Sequence, residues 1–194
     1  MNNMEVMKGG NILTEYNPTI GLALGAGGAR GLAHVGVLKV LEEEGINIDI
    51  IAGTSMGSII GGLYSAGIPI NYMEKIAEEI EWDSLSDITF PRTGLIKGEK
   101  ILKFLEVLTQ NKNFSDLNIP FAAIACDIEN GEHVVFDSGS VSKAIRSSIA
   151  IPGIFVPYKH KDRVLVDGGV LDRVPVSTVR KMGADVIIAV DIRV

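Results

Sequence analysis

The clearest chemical pattern in the sequence is Gly53-Thr54-Ser55-Met56-Gly57, which has the form G-x-S-x-G. It follows the apolar run Ile48 to Ala52, typical of a buried strand, and precedes small and apolar residues that are predicted to be helical. In this setting the serine occupies a tight turn that presents its hydroxyl, and small neighbours let the backbone bend. A glycine- and serine-rich turn without chemistry is the alternative. The setting favours Ser55 as a nucleophile, with Gly53 and Gly57 supporting its turn.

A second glycine cluster, Gly25-Ala26-Gly27-Gly28-Ala29-Arg30-Gly31, also follows an apolar run and opens a helix. A dinucleotide-binding G-x-G-x-x-G pattern does not fit, because Arg30 stands where the third glycine belongs. Backbone N–H groups in such a loop form a nest for a developing negative charge, which predicts an oxyanion hole beside Ser55. Arg30 would hold the loop or contact a phosphate. A tight turn without a ligand is the alternative.

A base for the nucleophile is harder to find among the three histidines. His34 falls near the apolar stripe of the first helix and is expected to pack or cap, His133 begins a strand, and His160 lies in a polar turn. A histidine triad in the chain order Ser, Asp, His would need Asp127 or Asp137 together with His160. None of these residues lies in a motif that would position it.

Asp167 is a different candidate, because Asp167-Gly168-Gly169 directly follows the apolar strand Val164 to Val166. Asp167 is therefore expected at the same sheet edge as Ser55. An exposed aspartate is a weak base, but burial against apolar walls would raise its pKa and let it accept the serine proton directly. The alternative is an ordinary Asp-Gly turn.

The elements that position these motifs alternate along the chain. Strands are predicted over 19–24, 48–52, 121–126, 133–136, 164–166 and 186–190, and helices over 30–44, 56–66, 71–82, 98–110, 141–149 and 176–182. Continuous apolar strands indicate a parallel sheet covered by helices on both faces. The predicted fold class is therefore α/β, a three-layer α/β/α arrangement with a central, largely parallel sheet.

Composition and charge argue against several classes of function and of site. The 194 residues carry 18 Lys and Arg against 24 Asp and Glu, a net charge of −6, which argues against a nucleic-acid partner bound through overall positive charge. The lone cysteine, Cys126, excludes an intramolecular disulfide and disfavours a cysteine-based zinc site. No apolar stretch resembles a signal peptide or a membrane span, so a cytoplasmic protein is expected. Residues 1–18 are predicted as a loosely ordered lead-in and residues 19–194 as one domain.

Together, the glycine nest with Arg30, the G-x-S-x-G and the later D-G-G resemble the patatin-like phospholipase family. Residues 31–38 are similar to the family's first helix, and residues 147–157 to its S-x-A-x-P-x-x-F block. The likeness extends over about residues 19–192 and is greatest to the compact, single-domain microbial members. Because such relatives usually continue beyond the strand at 186–190, we expect the domain to be truncated at its C-terminal end.

The resemblance implies a serine acyl hydrolase that cleaves carboxylic esters of lipids, as a phospholipase A, lysophospholipase or esterase. Ser55 matches the family's nucleophile and Asp167 its general base, so a Ser–Asp dyad would form an acyl-enzyme with no metal and no cofactor. Gly27, Gly28 and Ala29 match the N–H donors of the oxyanion hole. The residues expected to support these loops are Gly25, Arg30, Gly31, Gly53, Gly57, Gly168 and Gly169.

Two positions depart from the family pattern. Ala26 stands where many members have the first glycine of the loop, a change that leaves the N–H groups available. Arg173 stands where an asparagine is common, which bears on how the loop of Asp167 is supported.

Two other functions stay open from the sequence alone. A non-catalytic regulator that binds lipid or protein would keep the same fold, and a histidine-triad esterase would use His160. For the acyl hydrolase, the expected partner is a lipid or other acyl ester. Transient contact with a membrane surface would come through apolar loops around 69–70 and 151–156.

Overall fold

The computed structural model describes residues 3–8, 11–79 and 96–192, with side chains over 17–79 and 96–192. Two strands near the start, β1 (Asn3–Lys8) and β2 (Asn11–Tyr16), form an antiparallel pair. The main sheet of the described residues has seven strands: β3 (Ile20–Leu24), β4 (Ile50–Thr54), β5 (Phe121–Asp127), β6 (Glu132–Phe136), β7 (Tyr158–His160), β8 (Arg163–Asp167) and β9 (Val186–Val190). The α-helices are α1 (Ala33–Glu43), α2 (Met56–Ser65), α3 (Ile70–Glu79), α4 (Glu99–Leu108), α5 (Val141–Ser148) and α6 (Val176–Lys181).

The centre of the sheet is parallel. Strands β9, β3, β4 and β5 run side by side in one direction, while β6 and β8 run antiparallel to β5, and β7 antiparallel to β8. Every residue of β4 and of β5 is buried, as expected for central strands covered on both faces. The prediction of a central, largely parallel sheet is confirmed.

Helices cover the two faces of this sheet unequally. Leu22, Leu24 and Ile51 belong to a large core to which α1 to α5 all contribute. Ala23 belongs to a smaller core that contains Val179 of α6. Successive residues of β3 thus contact opposite layers, because side chains alternate between the two faces of a strand. This is the predicted three-layer α/β/α arrangement.

Strand β5 brings the ends of two other strands together. One edge of β5 pairs with β6 over residues 123–127. The opposite edge pairs with β4 over residues 121–124 and with the antiparallel β8 over residues 125–127. As a result β4 ends with Thr54 opposite Ile124, and β8 ends with Asp167 opposite Ala125, the next residue of β5. Ser55, which follows β4, and Asp167 therefore meet at one point of the sheet.

The antiparallel direction of β8 explains how Asp167 reaches this point. Strands β7 and β8 form a hairpin that reverses the chain at Lys161, where φ is 53°. Strands β8 and β4 consequently lie end to end along β5, with their C-terminal ends facing each other, and do not pair with one another. The sequence predicted that Asp167 and Ser55 share a sheet edge, and they do, through strands of opposite direction.

The N-terminal segment differs from its prediction. The sequence predicts a loosely ordered lead-in over residues 1–18, whereas the structure pairs β1 with β2, from Asn3 opposite Tyr16 to Lys8 opposite Asn11. Gly9-Gly10 separates these two runs in the sequence, and such a pair favours a two-residue hairpin turn.

Helix α3 also differs slightly from its prediction. It begins at Ile70, because the N–H groups of Tyr72 and Met73 donate to the Pro69 carbonyl at 3.0 and 3.1 Å. Asn71 therefore lies inside the first turn and does not cap it, and the predicted end over 80–82 lies outside the described residues.

None of the helices in the described part of the chain has the length and apolar character of a membrane span.

Gly57 packs the start of α2 directly against the backbone of β3, which generates a stability prediction. A Cβ added at Gly57 would lie 2.1 Å from the carbonyl oxygen of Leu24. We expect Gly57→Ala to lower the free energy of unfolding by about 1–3 kcal/mol or more, because a sheet backbone cannot yield as a side chain would. Urea denaturation measures this change.

Gly36 provides the matched control, because it lies in α1 with open space where a Cβ would be. Alanine in a helix is favoured over glycine, so Gly36→Ala should raise the free energy of unfolding by about 0.5–1 kcal/mol. A Gly57→Ala variant as stable as Gly36→Ala would contradict the close approach of α2 to β3.

Candidate active site

Ser55 occupies the sharp turn between β4 and α2. Its φ of 55° and ψ of −121° lie in a region that residues other than glycine rarely adopt. Close packing encloses the turn: a Cβ on Gly53 would lie 2.3 Å from the carbonyl oxygen of Gly57. G-x-S-x-G has the predicted strand–turn–helix context, and Gly53 and Gly57 pack closely against each other around the turn.

Two buried serines hold this turn through hydrogen bonds. The N–H of Ser55 donates to Oγ of Ser148 at 2.9 Å, and Oγ of Ser58 donates to the Ser55 carbonyl at 2.6 Å. Ser148 is fully buried at the end of α5. Ser148 is the first residue of the S-x-A-x-P-x-x-F block, and nothing in the sequence indicated this role. The structure shows that this block fixes the backbone of Ser55.

Asp167 is fixed at the end of β8 by its own backbone and by the turn that follows. Its N–H donates to the Ala150 carbonyl at 2.9 Å, and its Oδ1 accepts from the N–H of Gly169 at 2.7 Å. Gly168 is required for close packing, because a Cβ there would lie 2.3 Å from the carbonyl oxygen of Ile124. Hydrogen bonds thus hold both the backbone and the carboxylate of Asp167.

The environment of Asp167 makes its carboxylate a better proton acceptor. Burial raises the pKa of Asp167, and hydrogen bonding from the Ser55 side chain, the Gly169 N–H and the charge of Arg173 oppose that rise in part. Desolvation disfavours the charged form, so the pKa stays above the ordinary value. Ser55 and Asp167 also line the same cavity.

The glycine loop lines one cavity together with Ser55, and some of its N–H groups make no backbone hydrogen bond among the described residues. The N–H of Gly25 donates to the carbonyl of Val190 at 3.0 Å, and the N–H of Ala26 donates to the carbonyl of Arg173 at 2.8 Å. A 3-10 turn over Gly28–Leu32 follows, and the first N–H groups of a helix have no partner inside it. In the described part of the chain, no backbone hydrogen bond uses the N–H groups of three successive loop residues, Gly27, Gly28 and Ala29.

His34 anchors the loop instead of acting as a base. Its ring is fully buried, and Nε2 lies 2.8 Å from the carbonyl oxygen of Gly25. Because a carbonyl only accepts, Nε2 carries the hydrogen and Nδ1 does not. Burial lowers the pKa of His34, partly opposed by this hydrogen bond, so the ring is neutral. The expectation that His34 packs or caps agrees with this position.

The other two histidines lie elsewhere. His133 contacts Asp172, with 3.2 Å between Nε2 and Oδ2, and the ring of His160 packs edge-on against Phe136 at 5.3 Å between centroids. Neither ring lines the two cavities that open at Ser55. The histidine-triad alternative therefore has no geometric support among the described residues.

Two cavities of different character meet at Ser55. The first has a volume of about 610 Å³ and is lined by the glycine loop, Asp167 and Arg173. The second has a volume of about 300 Å³ and is apolar, with Met56, Ile59, Ile101, Ile149 and Phe155 among its lining residues. Gly28, Ala29, Ser55 and Ile151 line both. The nucleophile candidate thus lies on the border between a polar space and an apolar one.

Arg146 lies behind one wall of the apolar cavity, where it contacts Phe155, a role that no sequence pattern indicated. Its buried guanidinium donates to the carbonyls of Lys97 at 2.7 Å, Gly98 at 3.2 Å and Val156 at 3.0 Å. Its Cζ lies 5.3 Å from the ring centroid of Phe155, which lines the cavity. An arginine in a mostly polar helix gives no sequence signal of burial, since its partners are distant backbone carbonyls.

Similarity to known proteins extends over most of the chain. Residues 22–180 match the family model described as patatin-like phospholipase, and that range contains the glycine loop, Ser55 and Asp167. The chain belongs to the patatin-like phospholipase family. The resemblance inferred from the three motifs is confirmed.

Among curated patatin-like relatives, an uncharacterized NTE family protein of Mycobacterium tuberculosis is 38% identical over 185 residues, or 91% of this chain and 49% of that protein. Lysophospholipase NTE1 of Debaryomyces hansenii is 36% identical over 182 residues, or 91% of this chain and 12% of that protein. The chain thus spans at most about half the length of these relatives.

Solved structures show the same patatin-like architecture. VipD from Legionella pneumophila superposes with a TM-score of 0.71 at 14% identity, over 84% of this chain and 48% of that chain. Full-length ExoU in complex with SpcU, from Pseudomonas aeruginosa, gives a TM-score of 0.57 at 17% identity, over 70% of this chain and 39% of that chain. At these identities the likeness concerns the fold.

The raised pKa of Asp167 generates a prediction about stability. The unfolded chain loses this proton at a lower pH than the folded protein, so the contribution of Asp167 to stability falls as pH rises between the two pKa values. At neutral pH the folded protein therefore carries the cost of a buried charge. We expect Asp167→Asn to raise the free energy of unfolding at neutral pH, measured by urea denaturation.

Asp162→Asn is the control, because Asp162 is exposed in the turn between β7 and β8. This substitution should change the free energy of unfolding by less than about 0.5 kcal/mol. An Asp167→Asn variant less stable than the unmodified protein at neutral pH would show that the ionised carboxylate stabilises the fold.

Proposed function

We propose that the protein is a serine acyl hydrolase that cleaves carboxylic esters of lipids through a dyad of Ser55 and Asp167. One observation carries the proposal: Ser55, on a strained turn, lines the same cavity as a buried carboxylate whose pKa burial raises. A carboxylate with a raised pKa takes a proton more readily, so it can serve as a general base without histidine. Membership of the patatin-like phospholipase family supports this class of reaction.

In the proposed first half-reaction, Asp167 accepts the proton of the Ser55 hydroxyl while Oγ attacks the carbonyl carbon of the ester. The carbonyl oxygen takes up a negative charge, to which the N–H groups of Gly27, Gly28 and Ala29 donate hydrogen bonds. The bond to the leaving alcohol then breaks, and Asp167 returns the proton to the alcohol oxygen. An acyl group remains bound to Ser55.

The second half-reaction consumes one water molecule. Asp167 accepts a proton from this water, and the water oxygen attacks the acyl carbon. The bond between that carbon and Oγ of Ser55 breaks, and the proton passes from Asp167 to the serine oxygen. A fatty acid is released and the dyad is restored. Apart from the substrate and this water, the proposed cycle uses only side-chain and backbone groups of this chain.

The two cavities support an assignment of the two halves of the substrate. The apolar cavity suits a hydrocarbon chain, and the polar cavity suits the more hydrated leaving alcohol. With the ester bond at Ser55, each half of a lipid ester then lies in the space that matches its polarity. The presence of a lysophospholipase among the relatives supports the same substrate class.

We also propose that the protein acts in the cytoplasm and makes transient contact with a membrane surface. Three large apolar side chains near the polar cavity are exposed: Ile154 at 44%, Val170 at 50% and Leu171 at 50%. Val170 itself lines the cavity, and Ile154 lies in the loop over 151–156 that the sequence singled out. Such side chains would contact a lipid surface from which an ester enters the site.

Three single variants separate the proposed dyad from a histidine triad. We expect Ser55→Ala to abolish hydrolysis of a soluble ester, because the attacking oxygen is removed. Asp167→Asn should lower kcat/KM by about 10²–10⁴-fold, the usual contribution of general-base catalysis. His160→Ala should cost less than about tenfold, because that ring lines neither cavity.

A fluorophosphonate probe and mass spectrometry test the nucleophile independently of turnover. The adduct should map to Ser55 and be absent from Ser55→Ala. An adduct on another residue would overturn the assignment, and a folded protein that neither reacts nor hydrolyses esters would favour the non-catalytic regulator. A His160→Ala variant as inactive as Ser55→Ala would restore the triad.

A further inference from the structure

A second apolar cavity adjoins the one that opens at Ser55. The apolar cavity at Ser55, which we call the acyl cavity, has a volume of about 300 Å³, and the second, which we call the inner cavity, has a volume of about 40 Å³. Every described residue that lines the inner cavity is apolar, and helices α2, α3 and α4 all contribute. The atoms around an apolar void lack dispersion contacts on one side, so hydrocarbon that enters it is stabilised.

Three side chains separate the two cavities. Met56 and Ile59 of α2 and Ile101 of α4 line both, and we call them the dividing wall. Ser55 lines the acyl cavity and not the inner one. An acyl chain bound to Ser55 therefore meets the dividing wall before it can reach the inner cavity.

Another part of the acyl cavity is held by the backbone. The N–H of Ile96 donates to the carbonyl of Ile154 at 2.9 Å, and the N–H of Val156 donates to the carbonyl of Ile96 at 2.8 Å. These bonds fix the segments that carry Ile96 and Phe155, which both line the cavity. The dividing wall instead consists of apolar side chains with a void on their far side. A chain that is too long for the acyl cavity is therefore expected to displace the dividing wall first.

We propose that the dividing wall sets the length of the acyl chain that the protein cleaves, with Ile59 and Ile101 as specificity-determining residues. The proposal rests on the proposed function, since it concerns the acyl side of the same site. A methylene group takes up about as much space as a water molecule in the liquid, about 30 Å³, so the acyl cavity holds a chain of about ten carbons. Displacing packed side chains is unfavourable, so kcat/KM should decline for longer acyl chains.

The test measures kcat/KM for para-nitrophenyl esters from butanoate to hexadecanoate, all presented in micelles of one neutral detergent. We expect Ile101→Ala to raise the ratio of kcat/KM, tetradecanoate to octanoate, by about tenfold or more, because shortening this side chain joins the two cavities and a single methylene group in an apolar pocket is worth that much. Ile59→Ala, on a different helix, should raise the same ratio.

Leu102→Ala is the matched control. It shortens a half-buried side chain of α4 that lines neither cavity, so it should leave the ratio unchanged. An equal rise in Leu102→Ala and Ile101→Ala would assign the effect to general loosening of α4 and overturn the proposal.

A further substitution tests whether the longer chain enters the inner cavity. Ala77 of α3 lines the inner cavity and not the acyl cavity, so a larger side chain there fills the inner cavity from the far side. When Ala77→Leu is combined with Ile101→Ala, the ratio should return to that of the unmodified protein. A gain that persists in this double variant would show that the added carbons lie elsewhere, which contradicts the proposal.

Two more outcomes overturn the proposal. One is an unchanged ratio in Ile101→Ala and Ile59→Ala, with folding verified by circular dichroism. The other needs no variant: kcat/KM of the unmodified protein that does not decline from decanoate to hexadecanoate. Failure of the proposed function is a separate result, since the unmodified protein would then hydrolyse none of the esters, or Ser55→Ala would hydrolyse them equally well.

Discussion

The site depends on a single edge of β5. Two strands share this edge, β4 along its first half and the antiparallel β8 along its second, so their ends stand opposite Ile124 and Ala125. Hydrogen-bonded pairing fixes a strand end far more closely than a flexible loop does. The residue after β4 and the last residue of β8 are Ser55 and Asp167. The sheet itself therefore positions the nucleophile candidate and its base.

Where these two strands end, main-chain segments pack against each other at distances that leave no room for a side chain between them. Gly57 lies against the Leu24 carbonyl and Gly168 against that of Ile124. The strained φ of Ser55 is held by Ser148, and the buried carboxylate of Asp167 keeps a raised pKa. Strain and desolvation both oppose folding, and both are what an activated serine and its base require. The cores on the two faces of the sheet supply the stability that offsets these costs.

Sequence patterns revealed those parts of the site whose requirements are local. G-x-S-x-G and D-G-G are signatures of backbone geometry, so they indicated Ser55, Asp167 and the glycines beside them as candidates. The direction of β8 was not readable, because strand pairing joins residues about forty positions apart and any apolar run of five residues fits either direction. The roles of Ser148 and Arg146 were missed for the same reason: each side chain bonds to backbone that is distant in sequence. The hairpin of β1 and β2 did have a local signal, Gly9-Gly10.

The most direct test of a carboxylate base is the pH dependence of covalent labelling of Ser55 by a fluorophosphonate. This rate depends on activation of the serine and on no later step of turnover. We predict one acidic limb, at a pH above the ordinary pKa of aspartate because burial raises the pKa of Asp167. The limb should keep its position in a variant with both His133→Asn and His160→Asn. A limb that disappears or shifts in that variant would contradict the Ser55–Asp167 dyad.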